Sequence, residues 1–563
     1  MNKIINLLNQ KYGNVNQAAF VLAFFAFFSQ ILGMLRDRAL AHFLGPSASL
    51  DIYYAAFRIP DFLFISIASL ASIYVLLPFL VDKLRGSEIA TPEAHSFFNQ
   101  IFTLFLAVMI GSSVIIFFLM PLLAPLIAPG FSPADLSELV TISRFMLLSP
   151  VLLGLSNLIG SITQLFKKFF VFALSPVFYN VGILFGIIFL YPLIGLKGMA
   201  IGVIIGAGLH FAIQLPVVIG HKFIPRFTSK FNFKELKKMV AISLPRTLGL
   251  SVNSFALLAI VAMASFIGEG SISVFNFSFN LQAVPLTLVG ASYSVAAFPT
   301  LAQFFSKNNI KGFVQQITHA AKQIIFWSMP IMFLFIILRA QIVRVVLGSG
   351  SFTWDDTRLT AATLALFSIS IVGHALILLL VRGYYAAGKT TRPVVINVFS
   401  AGLIVVFAFI FLKLFQTYPM FQFFIESLFR VDDIPGTGIL MMALAYSVGT
   451  LVNFFLLWTR FKKDFLNKEI IADIRKTFFQ TFAAAFFIGF VSYVFLLLFS
   501  NVFDLDTFWG IFLQGFLSGI IGIAVGVVIL KLFKNEQIKE VQDTLRTRFW
   551  KSKKYVVPSQ EDL

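Results

Sequence analysis

The feature that most constrains this chain is a series of long apolar segments. A helix needs about 20 mostly apolar residues to cross a lipid bilayer. Only 12% of the 563 residues are charged and 58% are hydrophobic, so the chain has too few charges to cover a soluble surface of that size. We expect about fourteen crossings, near residues 14–44, 50–81, 98–127, 138–165, 169–194, 197–220, 239–267, 272–303, 313–345, 358–387, 393–413, 437–459, 477–500 and 508–533.

The length of these segments also predicts their secondary structure. A backbone in lipid must satisfy its own hydrogen bonds, and a helix does so within one segment. The sequence lacks the alternating segments of about ten residues that are typical of outer-membrane strands. The first segment is too long for a cleavable signal peptide, so we expect it to remain as a membrane anchor. The sequence therefore predicts an all-α integral membrane protein with about 14 transmembrane helices.

Lysine and arginine are distributed unevenly among the loops. They number 43 against 25 acidic residues, which gives a formal net charge of +18. Most lie in every second loop and near the chain ends, whereas the intervening loops are acidic, as at Asp135, Asp355, Asp432 and Asp504. By the positive-inside rule, both termini are predicted to face the cytoplasm. The positive charge thus reflects orientation in the membrane, and nucleic acid is not an expected partner.

The sequence also contains weak internal similarity. The stretch Pro176–Val181 resembles Pro393–Val398, and Pro60 in helix 2 corresponds to Pro285 in helix 8. Helix n thus pairs with helix n + 6, and the even number of crossings gives two repeats that point the same way, as in several secondary transporters.

This repeat predicts the domain organisation. Residues 1–221 form an N-terminal lobe with helices 1–6, and residues 222–238 form a basic cytoplasmic linker. Residues 239–465 form a C-terminal lobe with helices 7–12, followed by helices 13 and 14 within 466–534. The basic tail, residues 535–563, is either a surface helix on anionic membrane lipids or a solvated, partly disordered segment. Helix 14 has a face of small residues, which either packs closely against a neighbour or has no special role: Gly515, Gly519, Gly522 and Gly526.

Charged side chains lie in the first two apolar segments, where they are costly. A charge at the bilayer centre costs at least about 2.5–3.5 kcal/mol, so such groups face water or each other. We interpret them as part of a polar cavity between the two lobes, in which Arg36 binds an anion and Asp37 holds Arg36. Guanidinium suits this role because its planar fork matches phosphate oxygens. The charged residues are Arg36, Asp37, Arg38, Asp51, Arg58 and Asp61.

Two alternatives to this interpretation stay open. Asp51, Arg58 and Asp61 could instead lie near the outer interface and cap helix ends. The corresponding stretch of the second lobe, Asn276–Gln282, is polar but uncharged. It could bind sugar hydroxyls or hold helices together.

Motifs for catalysis are weak. Gly383–Thr390 fits the P-loop pattern, but an apolar helix precedes it where nucleotide binding needs a buried strand, so we expect a short cytoplasmic turn. The six histidines have no metal-binding spacing and there is no cysteine. We therefore expect neither an enzyme, nor a cofactor, nor a metal site.

Several stretches together resemble the MurJ/MviN family of lipid II flippases, in the multidrug/oligosaccharidyl-lipid/polysaccharide exporter superfamily. The resemblance implies two lobes around a cationic cavity that opens alternately to each side of the bacterial cytoplasmic membrane. It also implies transport of an undecaprenyl-pyrophosphate-linked peptidoglycan precursor, driven by the membrane potential or an ion gradient. The stretches are Ser29–Asp37 with Asp51, Phe57–Pro60, Ala128–Phe131, Pro176–Asn180, Gly350–Thr353 and Arg382–Pro393.

The resemblance also bears on individual residues. Arg36 and Asp37 match the Arg-Asp pair of the family, and Asp51 matches its acidic residue at the start of helix 2. The family has basic residues where this chain has Gln30, Phe64, Ile65 and Asn280, so either fewer charges bind lipid II here or a different lipid-linked glycan is moved. The candidate substrate-binding residues are Arg36, Asp37, Arg38, Asp51, Arg58, Asn280 and Gln282.

Three functions follow as hypotheses. The first is a flippase that moves lipid II from the cytoplasmic to the outer leaflet by alternating access. The second is an exporter of another lipid-linked oligosaccharide, of O-antigen or capsule type. The third is a membrane scaffold for cell-wall synthesis that transports nothing. A monomer that contacts membrane lipids and the lipid-linked glycan is expected in the first case.

Overall fold

The computed structural model describes residues 15–68, 73–84, 87 and 89–550. Residues 1–14 of the predicted N-terminal lobe and residues 551–563 of the predicted tail therefore lie outside the described residues. The first half of the chain forms helices α1 Val15–Phe43, α2 Ala48–Ala56, α3 Arg58–Leu63, α4 Ile73–Leu84, α5 Pro92–Ile127, α6 Pro133–Met146, α7 Leu148–Leu165, α8 Phe169–Phe185, α9 Tyr191–Ile194, α10 Leu196–Ala212, α11 Leu215–Gly220 and α12 Phe233–Ala264.

The second half of the chain is also helical throughout the described residues. Its elements are α13 Ser271–Pro285, α14 Ser292–Ser306, α15 Ile310–Ile337, α16 Arg339–Leu347, α17 Trp354–Ser368, α18 Ile371–Ala386, α19 Thr391–Thr417, α20 Pro419–Phe429, α21 Ile439–Phe465, α22 Lys468–Phe499, α23 Phe508–Leu532 and α24 Glu536–Trp550. Three π-helical turns interrupt the long helices, at Phe64–Ala68, Gly186–Leu190 and Leu286–Ala291.

The described helices confirm a multi-pass, all-helical membrane protein. Ten helical segments are long and apolar enough to cross a membrane, or up to eleven if α17 and α18, bent by 45°, form one span. Polar side chains accept hydrogen bonds from backbone N–H groups where several of these helices begin, as at Thr91, Ser132, Asn467 and Thr507. Such caps satisfy N–H groups that have no partner within the helix.

The structure interrupts several of the predicted segments, and two of these interruptions are the clearest. The segment predicted at 313–345 is two helices, α15 and α16, and the segment predicted at 358–387 is interrupted between Ser368 and Ile371. The connection between α19 and α21 contains a further helix, α20, that the hydropathy pattern does not predict.

Glycines allow very close helix packing in two pairs of helices. A Cβ atom on Gly182 of α8 would meet the backbone of Gly206 in α10, and one on Gly186, in the π-helical turn that follows α8, would meet that of Gly202. In the α22–α23 pair, a Cβ atom on Gly522 would meet the backbone oxygen of Ile488. This contact favours the packing interpretation of the small-residue face in the last transmembrane helix, since small residues let helix backbones approach in a membrane.

The described chain divides into two compact units. The first contains the chain up to Val284 together with Val343–Phe367 and Lys389–Asn453. The second contains Pro285–Ile342, Ser368–Gly388 and the chain from Phe454 onward. The first unit thus includes segments from both halves of the sequence.

The three cytoplasmic segments predicted from sequence have defined conformations. Gly383–Ala386 of the P-loop-like sequence form the last turn of α18, and residues 387–390 form a short turn before α19 begins at Thr391. In the linker, the backbone N–H of Asn232 donates to Gln100 Oε1 at 2.7 Å, and α12 begins directly after it. The first part of the tail is helix α24, whose Ile538 packs in a cluster with Phe326, Ala484 and Leu530.

Candidate substrate-binding site

The centre of the candidate site is an ion pair between adjacent residues of α1. Arg36 Nε and Nη2 donate to Asp37 Oδ1 at 3.0 and 2.8 Å. Asn280 Nδ2, from α13, donates to Asp37 Oδ2 at 3.0 Å. Both carboxylate oxygens are therefore engaged, and the structure brings together three of the predicted site residues.

Arg36 keeps part of its binding capacity free. Its side chain is 25% exposed, compared with 9% for Asp37. Within the described residues, Arg36 Nη1 donates no hydrogen bond. The residue lies seven positions before the end of α1 at Phe43, about 10 Å along the helix axis at 1.5 Å per residue. A guanidinium held at one edge by a carboxylate can present its other edge to an anion.

A second guanidinium belongs to Arg58, the first residue of α3. Arg58 Nη2 donates to Asn276 Oδ1 at 2.6 Å, and Asn276 Nδ2 donates to the backbone oxygen of Ile272. Arg58 Nε and the Tyr54 hydroxyl are buried, and neither has a hydrogen-bond partner among the described residues. Two unsatisfied polar atoms are costly when buried, so this part of the site could accept a water molecule or a polar group of a ligand.

Asp51 makes a different kind of contact. Its carboxylate accepts hydrogen bonds from the backbone N–H groups of Gly270 and Ser273 at 2.8 and 2.7 Å and from the Ser273 hydroxyl at 2.5 Å. These donors lie at the N-terminus of α13, where a helix has unpaired N–H groups and a positive partial charge. Asp51 is only 2% exposed. In this conformation it therefore caps a helix of the other sequence half, as the alternative interpretation allowed.

Arg38 also contacts the backbone of the second half. Its Nη1 donates to the backbone oxygens of Val345 and Val346 at 2.7 and 3.2 Å. These carbonyls belong to the last turn of α16, where cations are stabilised by the helix dipole. The guanidinium thus holds a helix end, although the sequence placed it among the residues that bind substrate.

Gln282 is fully buried in helix packing. Its Nε2 donates to the backbone oxygen of Phe367 at 2.7 Å, and Ser278 Oγ on the same face donates to that of Thr360 at 3.0 Å. These bonds join α13 to α17. Gln282 and the stretch around it therefore include side chains that hold helices together, and contact between Gln282 and a substrate remains a prediction.

Asp61 differs from the other acidic residues of helix 2. It is exposed and lines a small groove with Phe57, Ser149 and Leu153. The structure does not join it to the Arg36–Asp37 pair by a hydrogen bond among the described residues. Among the described residues, its carboxylate accepts no hydrogen bond from the second half, in contrast to that of Asp51.

Sequence reasoning did not find several polar partners. Ser66 Oγ and Ser251 Oγ lie 3.1 Å apart, joining the π-helical turn of helix 2 to α12. Asn180 Nδ2 donates to Ser29 Oγ at 3.1 Å. Each pair is far apart in sequence and uncharged, so no pattern along the chain identifies it. Among the contacts of the site, only the helix start at Gly270 and Ser271 could be found from neighbouring residues, since a Gly-Ser sequence commonly begins a helix.

Comparison with known proteins points to one family. The family model described as lipid II flippase MurJ matches residues 40–513. A protein of Rickettsia prowazekii (strain Madrid E) named probable lipid II flippase MurJ is 28% identical over 388 residues, which cover 68% of this chain and 76% of that protein. A lipid II flippase MurJ of Burkholderia cenocepacia is 25% identical over 407 residues, with the same two coverages of 68% and 76%.

Solved structures show the same fold. A lipid II flippase MurJ in an inward closed conformation matches with a TM-score of 0.71 at 21% identity, covering 93% of this chain and all of that one. An inward-facing multidrug resistance transporter of the MATE family, in the MOP superfamily, matches with a TM-score of 0.61 at 15% identity, covering 77% of this chain and 95% of that one.

Proposed function

Because the chain belongs to the lipid II flippase MurJ family, we propose that it moves lipid II from the cytoplasmic to the outer leaflet of the bacterial cytoplasmic membrane. The observation that carries this proposal is the Arg36–Asp37 pair, bonded to Asn280 and open on one side. A scaffold that transports nothing has no need for a guanidinium at a position where charge is costly.

Arg36 binds the pyrophosphate in this proposal. Its free Nη1 edge donates to phosphate oxygens, and Asp37 fixes the plane of the guanidinium through Nε and Nη2. Asn280 stands where the family pattern has an arginine. Its amide donates to the second oxygen of Asp37, so the carboxylate is held at both oxygens although Asn280 carries no charge. This substitution lets the site work with fewer charges than the family pattern.

Transport requires that the contacts between the two sequence halves break and re-form. They are hydrogen bonds of single side chains to helix ends, at Asp51 and Arg38, and between polar pairs such as Ser66 and Ser251. Each contributes only about 0.5–3 kcal/mol, so a reversible opening on one side is energetically accessible. Alternating access is then a rocking of the two lobes about Arg36.

The proposal includes the finer architecture. Adding α1, helix 2 and α12 to the ten spans and the bent α17–α18 pair gives fourteen crossings. Helix 2 and helix 8 both carry a π-helical turn shortly after a proline, at Phe64–Ala68 after Pro60 and at Leu286–Ala291 after Pro285. This correspondence supports the repeat of two six-helix lobes, residues 1–221 and 239–465, joined by the linker 222–238 and followed by 466–534 and the tail 535–563.

We further propose a monomeric transporter that catalyses no chemical reaction and has both termini in the cytoplasm. The positive-inside distribution supports this orientation. The substrate and the surrounding membrane lipids are then its only required partners.

Reconstitution tests the proposal directly. Proteoliposomes would contain fluorescent lipid II or, as a control, a polyprenyl-linked O-antigen-type glycan, and translocation would be followed by accessibility to a reagent outside the vesicle. We expect Arg36→Ala to slow lipid II translocation about 10- to 100-fold, since a hydrogen bond to a charged group is worth about 1.5–3 kcal/mol. Arg36→Lys keeps the charge but not the fork and should retain intermediate activity.

Three results would contradict parts of this proposal. No lipid II translocation by the wild-type protein would remove the substrate assignment. Faster translocation of the control glycan would favour the oligosaccharide-exporter alternative. An unchanged rate of lipid II translocation in a folded Arg36→Ala variant would show that Arg36 does not bind the substrate.

A further inference from the structure

The outer loop between helices 11 and 12 carries an apolar surface that the transport site does not use. Helix α20 begins at Pro419, two residues after α19 ends at Thr417. The corresponding connection in the first half, between α9 and α10, is the single residue Gly195. The loop with α20 is thus an addition to one repeat.

One face of α20 is apolar and exposed. Met420 is 82% exposed, Phe423 64%, Phe424 59% and Leu428 57%. Their spacing of three, four and eight residues places them on one side of a helix. We refer to these four residues as the α20 apolar face. A face of this kind is unfavourable in water, so we expect lipid or another protein to cover it.

The opposite face of α20 is fixed to the protein. Glu426 Oε1 accepts hydrogen bonds from Gln422 Nε2 at 2.9 Å and from Thr437 Oγ1 at 2.6 Å. Ile425 is buried, and the Phe421 ring contacts Phe415 of α19 edge-on at 6.4 Å between centroids. Gln422 and Glu426 are therefore hydrogen-bonded within the chain, and the apolar face is held in a fixed direction.

The segment after α20 is charged and also fixed. Arg358 donates to both carboxylate oxygens of Asp433, at 2.8 and 2.5 Å, and to the backbone oxygen of Arg430. Asp432 beside this pair is exposed. The hydrogen bonds from Arg358 lower the pKa of Asp433, so the pair stays charged at neutral pH. A charged edge next to an apolar helix face is the pattern of an interfacial helix.

The surface next to α20 identifies its occupant. Helix α19 is a membrane-spanning candidate, and its outward side chains include Val406, Phe409 and Ile410, which are 49%, 61% and 42% exposed. These residues face lipid in any membrane-spanning arrangement. Because only Tyr418 separates α19 from α20, the α20 apolar face continues a lipid-facing surface at the membrane boundary.

We propose that α20 is an interfacial helix that inserts its apolar face among the lipids at the boundary between headgroups and acyl chains. The position of the face favours lipid over a protein partner, since it continues the lipid-facing surface of α19. Helices of this type lie about 5–10 Å into the headgroup boundary. The helix anchors the end of α19 at a fixed depth.

Spin labelling in nanodiscs that hold one copy of the protein tests this proposal. The chain has no cysteine, so single cysteines label cleanly. Phe424→Cys reports on the α20 apolar face, Phe409→Cys on the lipid-facing side of α19, and Asp432→Cys on water. Met420→Cys is a second reporter on the same face, should Phe424→Cys fail to fold. Accessibility of each nitroxide to oxygen and to a water-soluble nickel chelate gives its depth.

The expected result is oxygen accessibility above nickel accessibility at 424, with a depth between those of labels at 409 and 432. Nickel accessibility at 424 equal to that at 432 would overturn the proposal, because the face would then lie in water and await a protein. Protection from both reagents would also overturn it, since the face would then be covered by the chain itself. Neither outcome bears on lipid II transport, so this proposal fails independently of the proposed function.

Discussion

Replacing Asp51 by asparagine should open the contact between the two sequence halves. The carboxylate accepts three hydrogen bonds from Gly270 and Ser273. An amide of the same shape can still accept from one side, but its NH2 group faces a backbone N–H, so at least one bond is lost and the others lose their charge assistance. We estimate a loss of about 3 kcal/mol from the closed form, which corresponds to an increase of about a hundredfold in the open fraction.

A buried cysteine at the same contact measures this change. Ser271 is 1% exposed and its hydroxyl has no hydrogen-bond partner among the described residues, so Ser271→Cys removes no bond. A water-soluble maleimide then reacts only when the contact opens, and while the closed form predominates its rate follows the open fraction. We expect the Asp51→Asn variant of Ser271→Cys to be labelled about a hundredfold faster than its parent.

The matched control is Asp61→Asn, the same change ten residues further along the chain, at an exposed carboxylate that accepts no hydrogen bond from Gly270 or Ser273. It should leave the labelling rate of Ser271→Cys unchanged. If Asp51→Asn also leaves the rate within about twofold of the parent, then the cap contributes less than about 0.5 kcal/mol, and the reasoning that assigns Asp51 to this contact is refuted.

Three further predictions concern other contacts. Arg38→Ala should lower the free energy of unfolding by about 1–2 kcal/mol, since two carbonyls at the end of α16 lose a cation, with a lower Tm in detergent; an unchanged Tm would contradict the capping role. Oxidation of a Ser66→Cys, Ser251→Cys double variant should stop lipid II translocation and reduction should restore it, because the two Oγ atoms are 3.1 Å apart; full activity of the cross-linked form would exclude rocking at this contact. Lys322, which also contacts Asp473, lowers the pKa of Glu536. The docking of α24 should therefore persist at neutral pH and weaken as pH falls through that lowered pKa, whereas Glu536→Gln should loosen it already at neutral pH, as measured by hydrogen exchange of 536–543.

The sequence predicted the helices well and their interruptions poorly. The expected segment 169–194 agrees with α8, the following π-helical turn and α9, which together end at Ile194. Hydrophobic length determines such a span whatever packs around it. The break between α15 and α16 and the bend between α17 and α18 depend on local packing, so composition does not reveal them.

Short amphipathic helices between the long apolar segments were also beyond sequence reasoning. Helix α20 has only 11 residues, and an isolated helix of that length is marginally stable. Its formation depends on Glu426, Ile425 and Phe421 meeting partners elsewhere in the fold. A pattern in the loop alone therefore did not distinguish it from an irregular acidic connection.

The candidate site shows the same division. The sequence identified Arg36 and Asp37 because a charge inside an apolar segment is expensive and needs a reason. It did not show that Asp51 binds the N-terminal end of α13 and that Arg38 binds the C-terminal end of α16. A residue that caps a helix and a residue that binds a ligand can be of the same type, so the sequence does not distinguish them. Asn280 and Gln282 lie two positions apart in one polar stretch, yet one bonds Asp37 and the other holds α17.

The amino-acid sequence by itself determined that this chain is a multi-pass, all-helical membrane protein and which residues carry charge into its apolar segments. These properties follow from transfer between water and lipid, which acts on each segment separately. Only the tertiary structure decided which of those charges stays available at Arg36 and which are used to close helix ends. That choice depends on hydrogen bonds between residues more than 200 positions apart in the sequence, such as Asp37 and Asn280. Such residues come into contact only after the chain has folded.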